Sequence, residues 1–235
     1  LSNLKQWGLA QTMFADENAD RLPRDGMSSA GTYGNATGNP GDASAWFNVL
    51  PDNLGEKPLS NYWSDPGVAS FQYNSPNFPF PGGLARIWHC PSARMTAADG
   101  VANGGRYGFF SYVMNIDLKR TTPGYANADA MSYPLMPTVS SISLPARTVL
   151  IIDSVFSPHD EVVNGSPQFN SVNPAGRWRS FASRHDSGGV INFVDGHAGY
   201  YRTKVVQDSG SMTGTTVENS GAELIWNPPY RAANP

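Results

Sequence analysis

An α+β fold is predicted for this chain, with one N-terminal helix laid on an antiparallel sheet and a long loop-rich excursion between the two. Three observations predict it. An amphipathic stripe runs through residues 1–18, short β-branched and aromatic runs crowd the second half, and an Asp-Gly dipeptide separates two of those runs.

The helix comes first. In LSNLKQWGLAQTMFADEN, Leu1, Leu4, Trp7, Gly8, Ala10 and Phe14 recur at helical spacing and form one apolar stripe. Leu9 and Met13 fall outside it, beside Ser2, Lys5 and Gln6. They are either stray apolar residues or a second face that packs on neighbouring subunits. No N-cap residue precedes Leu1, so the helix is expected to continue upstream. Asp16, Asn18 and Asp20 mark its end, and Pro23 cannot continue it.

Residues 25–106 are the least regular part. DGMSSAGTYGNATGNPGD is loop by composition, and Asp42 is placed to cap a short helix through Trp46, Phe47 and Leu50 that Pro51 stops. SPNFPFPGG at 75–83 is rich in Pro and Gly and reads as extended. Excursions of this length usually carry a binding surface. Trp46, Trp63 and Tyr73, with Tyr62, Phe71, Phe78 and Phe80, either build a local satellite core or present an aromatic platform to a sugar or a partner.

Strands fill residues 107–235. YGFFSYVMNI (107–116) is aromatic and β-branched, and RTVLIID (147–153) is continuous enough for a central strand. In GVINFVDGHAGYYR, Asp195-Gly196 suits the positive φ angles of a two-residue hairpin turn. AELIW (222–226) reads as a last short strand before Pro228-Pro229.

Composition narrows the function. Net charge is −3 with scattered basic residues, which leaves no electrostatic footprint for nucleic acid. Cys90 is the only cysteine, so no intrachain disulfide can form. No run of about 18 apolar residues exists to span a bilayer. The chain lacks G-x-S-x-G, H-E-x-x-H, Walker and dinucleotide-binding patterns, so no catalytic residue is assigned and no enzyme is expected.

His185 and Asp195 could in principle serve as an acid–base pair. A strand over 190–194 puts them at opposite ends, unless 184–189 doubles back, which Gly188-Gly189 permits. Asp195 reads as a turn residue and His185 as a polar clasp on the backbone. A metal-ligand role for His185, with Asp186, Asp195 or His197, lacks a converging set, and no metal is assigned. A hydrolase using His185 with Asp153 or Asp195 is the weakest alternative. Cys90 beside His89 reads as a buried, inert thiol.

The segment Arg184-His185-Asp186-Ser187-Gly188-Gly189-Val190-Ile191-Asn192-Phe193-Val194-Asp195-Gly196-His197 resembles the H-X9-DG signature of a prepilin-type family. LSNLKQWGLAQTMFADENADRLP, His89-Cys90-Pro91-Ser92, Phe110-Ser111-Tyr112-Val113-Met114-Asn115, Leu144-Pro145-Ala146-Arg147-Thr148 and Ile225-Trp226-Asn227-Pro228 resemble further blocks of that family, in the same order. The resemblance runs from residue 1 to about residue 228, with 25–88 mostly unmatched.

It implies a pilin-like head over 1–235 and a pseudopilin function in a type II secretion or type IV pilus-like machine. It also implies a cleaved leader, an upstream apolar helix in the inner membrane, and a head outside that membrane in the cell envelope. Assembly with other pseudopilins would run through the N-terminal helix, with Leu1, Leu4, Trp7, Leu9 and Met13 as its residues. His185, Gly189, Asp195, Gly196 and His197 would be structural motif residues. Some major pseudopilins bind calcium, and Asp16, Glu17, Asp20, Asp153, Asp160 and Glu161 are available here, although none follows a regular calcium-loop spacing. A cell-surface module that grips carbohydrate or a partner through Trp46, Trp63 and Tyr73 is the alternative.

Overall fold

The computed structural model describes residues 1–27, 42–63, 87–94, 98, 110–118, 136–163, 166–169, 173–212, 223–226 and 228. Helix α1 (Ser2–Glu17) opens the chain. It ends where Ala19 and Asp20 take left-handed φ angles of 52° and 63°. Asp20 N–H then returns to the Ala15 carbonyl at 2.8 Å and the Asn18 side chain donates to the Phe14 carbonyl at 2.8 Å. Two carbonyls that the helix leaves open are thereby satisfied.

Among the described residues, five strands form one sheet in the order β3-β1-β2-β4-β5, from β1 (Tyr112–Asn115), β2 (Val149–Asp153), β3 (Ala175–Gly176), β4 (Gly188–Phe193) and β5 (Ala198–Arg202). The antiparallel expectation needs correction. β1–β2, β2–β4 and β4–β5 are antiparallel, but β3 lies parallel to β1, so the sheet is mixed. β2 is buried at every position, as its apolar run requires of a central strand. Of the segment read as a last strand, the described residues 223–226 contribute a bridge between Ile225 and Thr148.

The hairpin exists, but its turn is longer than a two-residue one. Gly196 N–H donates to the Phe193 carbonyl and Phe193 N–H to the His197 carbonyl, both at 2.9 Å, which encloses Val194, Asp195 and Gly196 in a three-residue loop. Only Gly196, at φ 89°, is left-handed. This is a turn closed by a glycine bulge, so Asp195 needs no unusual backbone. Helix α4 (Thr203–Met212) follows β5 directly; nothing in the sequence reading anticipated it.

α1 lies along this hairpin and against β4. Contact is closest at Gly8, where a Cβ would stand 2.3 Å from both the Gly196 carbonyl oxygen and Asn192 Nδ2. Only a residue without a side chain lets the helix come this near. Leu4, Trp7, Ala10, Gln11 and Ala15 are buried on this side, while Leu1 and Leu9 are each 58% exposed and Met13 39%. Leu1 thus departs from the buried stripe, and Leu4 and Trp7, being core residues, are not available as assembly contacts.

The excursion after α1 packs into the same core. It contains α2 (Trp46–Val49), a tight turn over Pro51–Leu54 that Pro51 opens, and α3 (Leu59–Trp63). Asp42 does not cap α2, whose N-cap is Ala45; its carboxylate accepts from Ser44 N–H instead. Trp7 meets Trp46 edge-on at 5.3 Å and Trp88 at 5.0 Å, and its indole N–H donates to the Ile87 carbonyl. The Trp46 indole N–H donates to the Pro174 carbonyl at 3.1 Å. The expected satellite core is therefore part of the main one, because α1 is covered by the sheet on one side and by these rings on another. α4 (Thr203–Met212) packs beside β4 and β5. No helix among the described residues is long and apolar enough to cross a membrane.

Candidate functional site

The most polar part of the interior lies where the start of β4, the end of β2 and the segment around Cys90 meet. Arg184 is its centre. Its side chain is 6% exposed and donates to the Ser154 carbonyl (2.7 Å), Glu161 Oε2 (2.9 Å), Asp153 Oδ1 (3.1 Å), the Ser111 carbonyl (3.2 Å) and Cys90 Sγ (3.4 Å). Burial works against the guanidinium charge, but Asp153 and then Glu161 outweigh it and push the pKa above its ordinary value. Glu161 is held in turn by Phe156 and Ser157 N–H groups at 3.1 and 3.0 Å.

His185 follows immediately. The chain does double back here, but through Asp186 and Ser187 at φ 52° and 62°, while Gly188 and Gly189 lie inside β4. The turn is closed by His185 N–H on the Gly188 carbonyl and braced by the Tyr200 hydroxyl on the Asp186 carbonyl. It aims the imidazole at β2 instead of toward Asp195. His185 Nε2 lies 3.2 Å from Cys90 Sγ and 3.5 Å from Asp153 Oδ2. Cys90 is 2% exposed, as a buried thiol was expected to be, yet its partner is this distant histidine and not adjacent His89. Burial, reinforced by the Arg184 charge, lowers the His89 pKa to about 4 and keeps that ring neutral.

Asp153 Oδ2 also accepts the Val190 N–H at 2.8 Å, which ties the end of β2 to β4. Gly189 packs tightly beside it, since a Cβ there would stand 3.0 Å from the Phe181 ring and 3.1 Å from Asp153 Cβ and would press on both. The arrangement is not a relay triad. One imidazole nitrogen faces both the thiol and the carboxylate, whereas nucleophile activation uses the two ring nitrogens separately. What the geometry offers is convergence of sulfur, nitrogen and oxygen on one point.

The other half of the motif is separate. Asp195 Oδ1 contacts His197 Nδ1 at 2.6 Å and accepts the His197 N–H at 3.1 Å, with the His197 ring stacked on Phe193 at 4.3 Å. Asn192 Nδ2 donates to the Gly196 and His197 carbonyls at 3.2 and 3.0 Å and fixes the loop under α1. The motif thus has two ends with two tasks: Arg184 and His185 fasten β4 to the polar interior, and Asp195, Gly196 and His197 shape the loop on which the helix rests.

Among the three aromatic residues proposed for ligand binding, Trp46 is corrected outright: it is 1% exposed and belongs to the core. The Trp63 side chain and Tyr73 lie outside the described residues. Sequence reading gave Arg184 no role beyond its place in the motif. It weighed Asp153 and Glu161 as carboxylates available to calcium, and Asp153 also as an alternative partner for His185, but it did not bring them together around Arg184. Comparison of the chain with protein-family models, curated proteins and solved structures finds no match in any of the three.

Proposed function

We propose that this chain is the head of a pilin-like structural subunit, a pseudopilin of a secretion or pilus-like machine in the cell envelope, that assembles through α1. The observation that supports it is the two-faced helix. One side of α1 is locked on the hairpin and the aromatic core, and the other leaves Leu1, Leu9 and Met13 uncovered beside Lys5 and Gln6. Apolar side chains on the outer face of an otherwise docked helix suit packing against equivalent helices. The ordered sequence blocks that resemble the prepilin-type family point the same way. In this reading α1 is the distal part of a longer helix whose apolar portion anchors the subunit in the inner membrane.

Cysteine cross-linking of the full-length protein in its own envelope tests this. Leu9→Cys and Met13→Cys are each expected to give disulfide-linked dimers on mild oxidation, and the double variant higher species. Lys204→Cys, at an exposed site on α4, is expected to give none. The reading fails if the α1 positions remain uncross-linked in folded protein, or if Lys204→Cys links equally well.

A further inference from the structure

We propose that Cys90, Asp153 and His185 form a binding site for one zinc-class divalent cation. Among the described residues they are the group of thiol, carboxylate and imidazole whose ligand atoms all lie within 4.8 Å of one another. Zinc bound tetrahedrally at about 2.3 Å to sulfur and about 2.0 Å to nitrogen and oxygen separates sulfur from nitrogen by about 3.5 Å and nitrogen from oxygen by about 3.3 Å. The corresponding separations are 3.2 and 3.5 Å. Those two pairs are within a few tenths of an ångström of coordination geometry, and closing the sulfur–oxygen pair, which lies within 4.8 Å, to about 3.5 Å completes the three-ligand set.

The surroundings fit a bound dication. Asp153 and Glu161 are two buried carboxylates facing one guanidinium, which leaves one formal negative charge. A dication with the Cys90 thiolate adds one positive charge and closes the balance, the thiol proton leaving to solvent. Each ligand is held from behind. Cys90 N–H donates to Ser111 Oγ at 2.8 Å, Asp153 Oδ1 is kept by Arg184 while Oδ2 faces His185, and His185 N–H is fixed in its turn. The Arg184 Nε–H at 3.4 Å from Sγ is the kind of outer hydrogen bond that orients a thiolate ligand. The His185 side chain is 28% exposed, so solvent reaches the cluster from its side and water is the natural fourth ligand. Thiolate with imidazole favours zinc, cobalt or copper over calcium or magnesium. This site is distinct from the outer face of α1 and independent of the assembly reading.

Cobalt(II) reports it directly, because Cys90 is the chain's only cysteine and any thiolate-to-cobalt charge-transfer band must come from it. The full chain, stripped with a chelator, is titrated with Co2+ and then with Zn2+. Expected are one equivalent of bound Co2+, a charge-transfer band, and its loss on adding one equivalent of Zn2+. Cys90→Ser should abolish the band, and His185→Gln should weaken binding at least tenfold, each with an unchanged far-UV spectrum. Folded wild-type chain that shows no saturable band overturns the proposal, as does a band unaltered by His185→Gln. Should a variant fail to fold, the wild-type titration alone decides, since a folded chain without this site gives no saturable thiolate band.

Discussion

Replacing Arg184 by methionine isolates the strongest electrostatic commitment in the fold. Methionine keeps much of the volume but removes a charge shared by Asp153 and Glu161, whose side chains are only 1% and 7% exposed. Removing one member of a buried ion pair typically costs about 3–5 kcal/mol. Two carboxylates and the Ser111 and Ser154 carbonyls lose their donor here, so the upper part of the range, about 4–5 kcal/mol, is expected. For a chain of this size each kcal/mol moves the melting temperature by about 2–4 °C, which gives a fall of about 8–20 °C. Urea and thermal unfolding by circular dichroism, run in chelator, measure it. Arg184→Lys, which keeps the charge but not the fork of donors, should fall between parent and methionine variant. Adding Glu161→Gln to Arg184→Met should recover part of the loss. A methionine variant within about 1 kcal/mol of the parent would refute the reasoning, as would lysine and methionine variants of equal stability.

Two further outcomes follow from the geometry. Gly8→Ala would gain about 1 kcal/mol in a free helix. Here the added carbon meets the Gly196 carbonyl, so a net loss of about 1–3 kcal/mol in urea unfolding is expected, and a stabilised variant would mean α1 does not rest on the hairpin. Burial, and then the hydrogen bond to and charge of Glu56, raise the Tyr62 pKa above its ordinary 10. Its contribution is thus fully present below pH 10 and lost as the pH rises beyond it. Tyr62→Phe should flatten that alkaline decline in a stability–pH series; an unchanged decline would contradict the assignment.

The helix and hairpin were legible because each rests on local rules: a stripe of Leu4, Trp7 and Ala10 at helical spacing, and a Gly at the only left-handed position of the loop. Even there the turn was misjudged, since Asp-Gly serves a glycine bulge as well as a two-residue turn. The parallel edge was illegible, as β3 is two residues long and is recruited by β1 across a large separation. In a loop-rich stretch Trp46 reads equally as local core or as ligand platform, and the approach of Trp7 and Trp88 is what puts it in the main core. The candidate site was hidden for the same reason: Cys90 and His185 are 95 residues apart, and the motif invites pairing His185 with Asp195. Arg184 was passed over because arginine is seldom buried without partners, and those partners lie on β2 and in a loop.

The assembly role of α1 is tested most directly by placing charge on its outer face alone. Leu9→Glu with Met13→Glu should leave unfolding of the head within about 0.5 kcal/mol of the parent, because both side chains already face solvent. In producing cells the same full-length variant should lose the higher species that an amine-reactive cross-linker traps in the parent, while remaining folded. Undiminished assembly of a folded double variant would contradict the account.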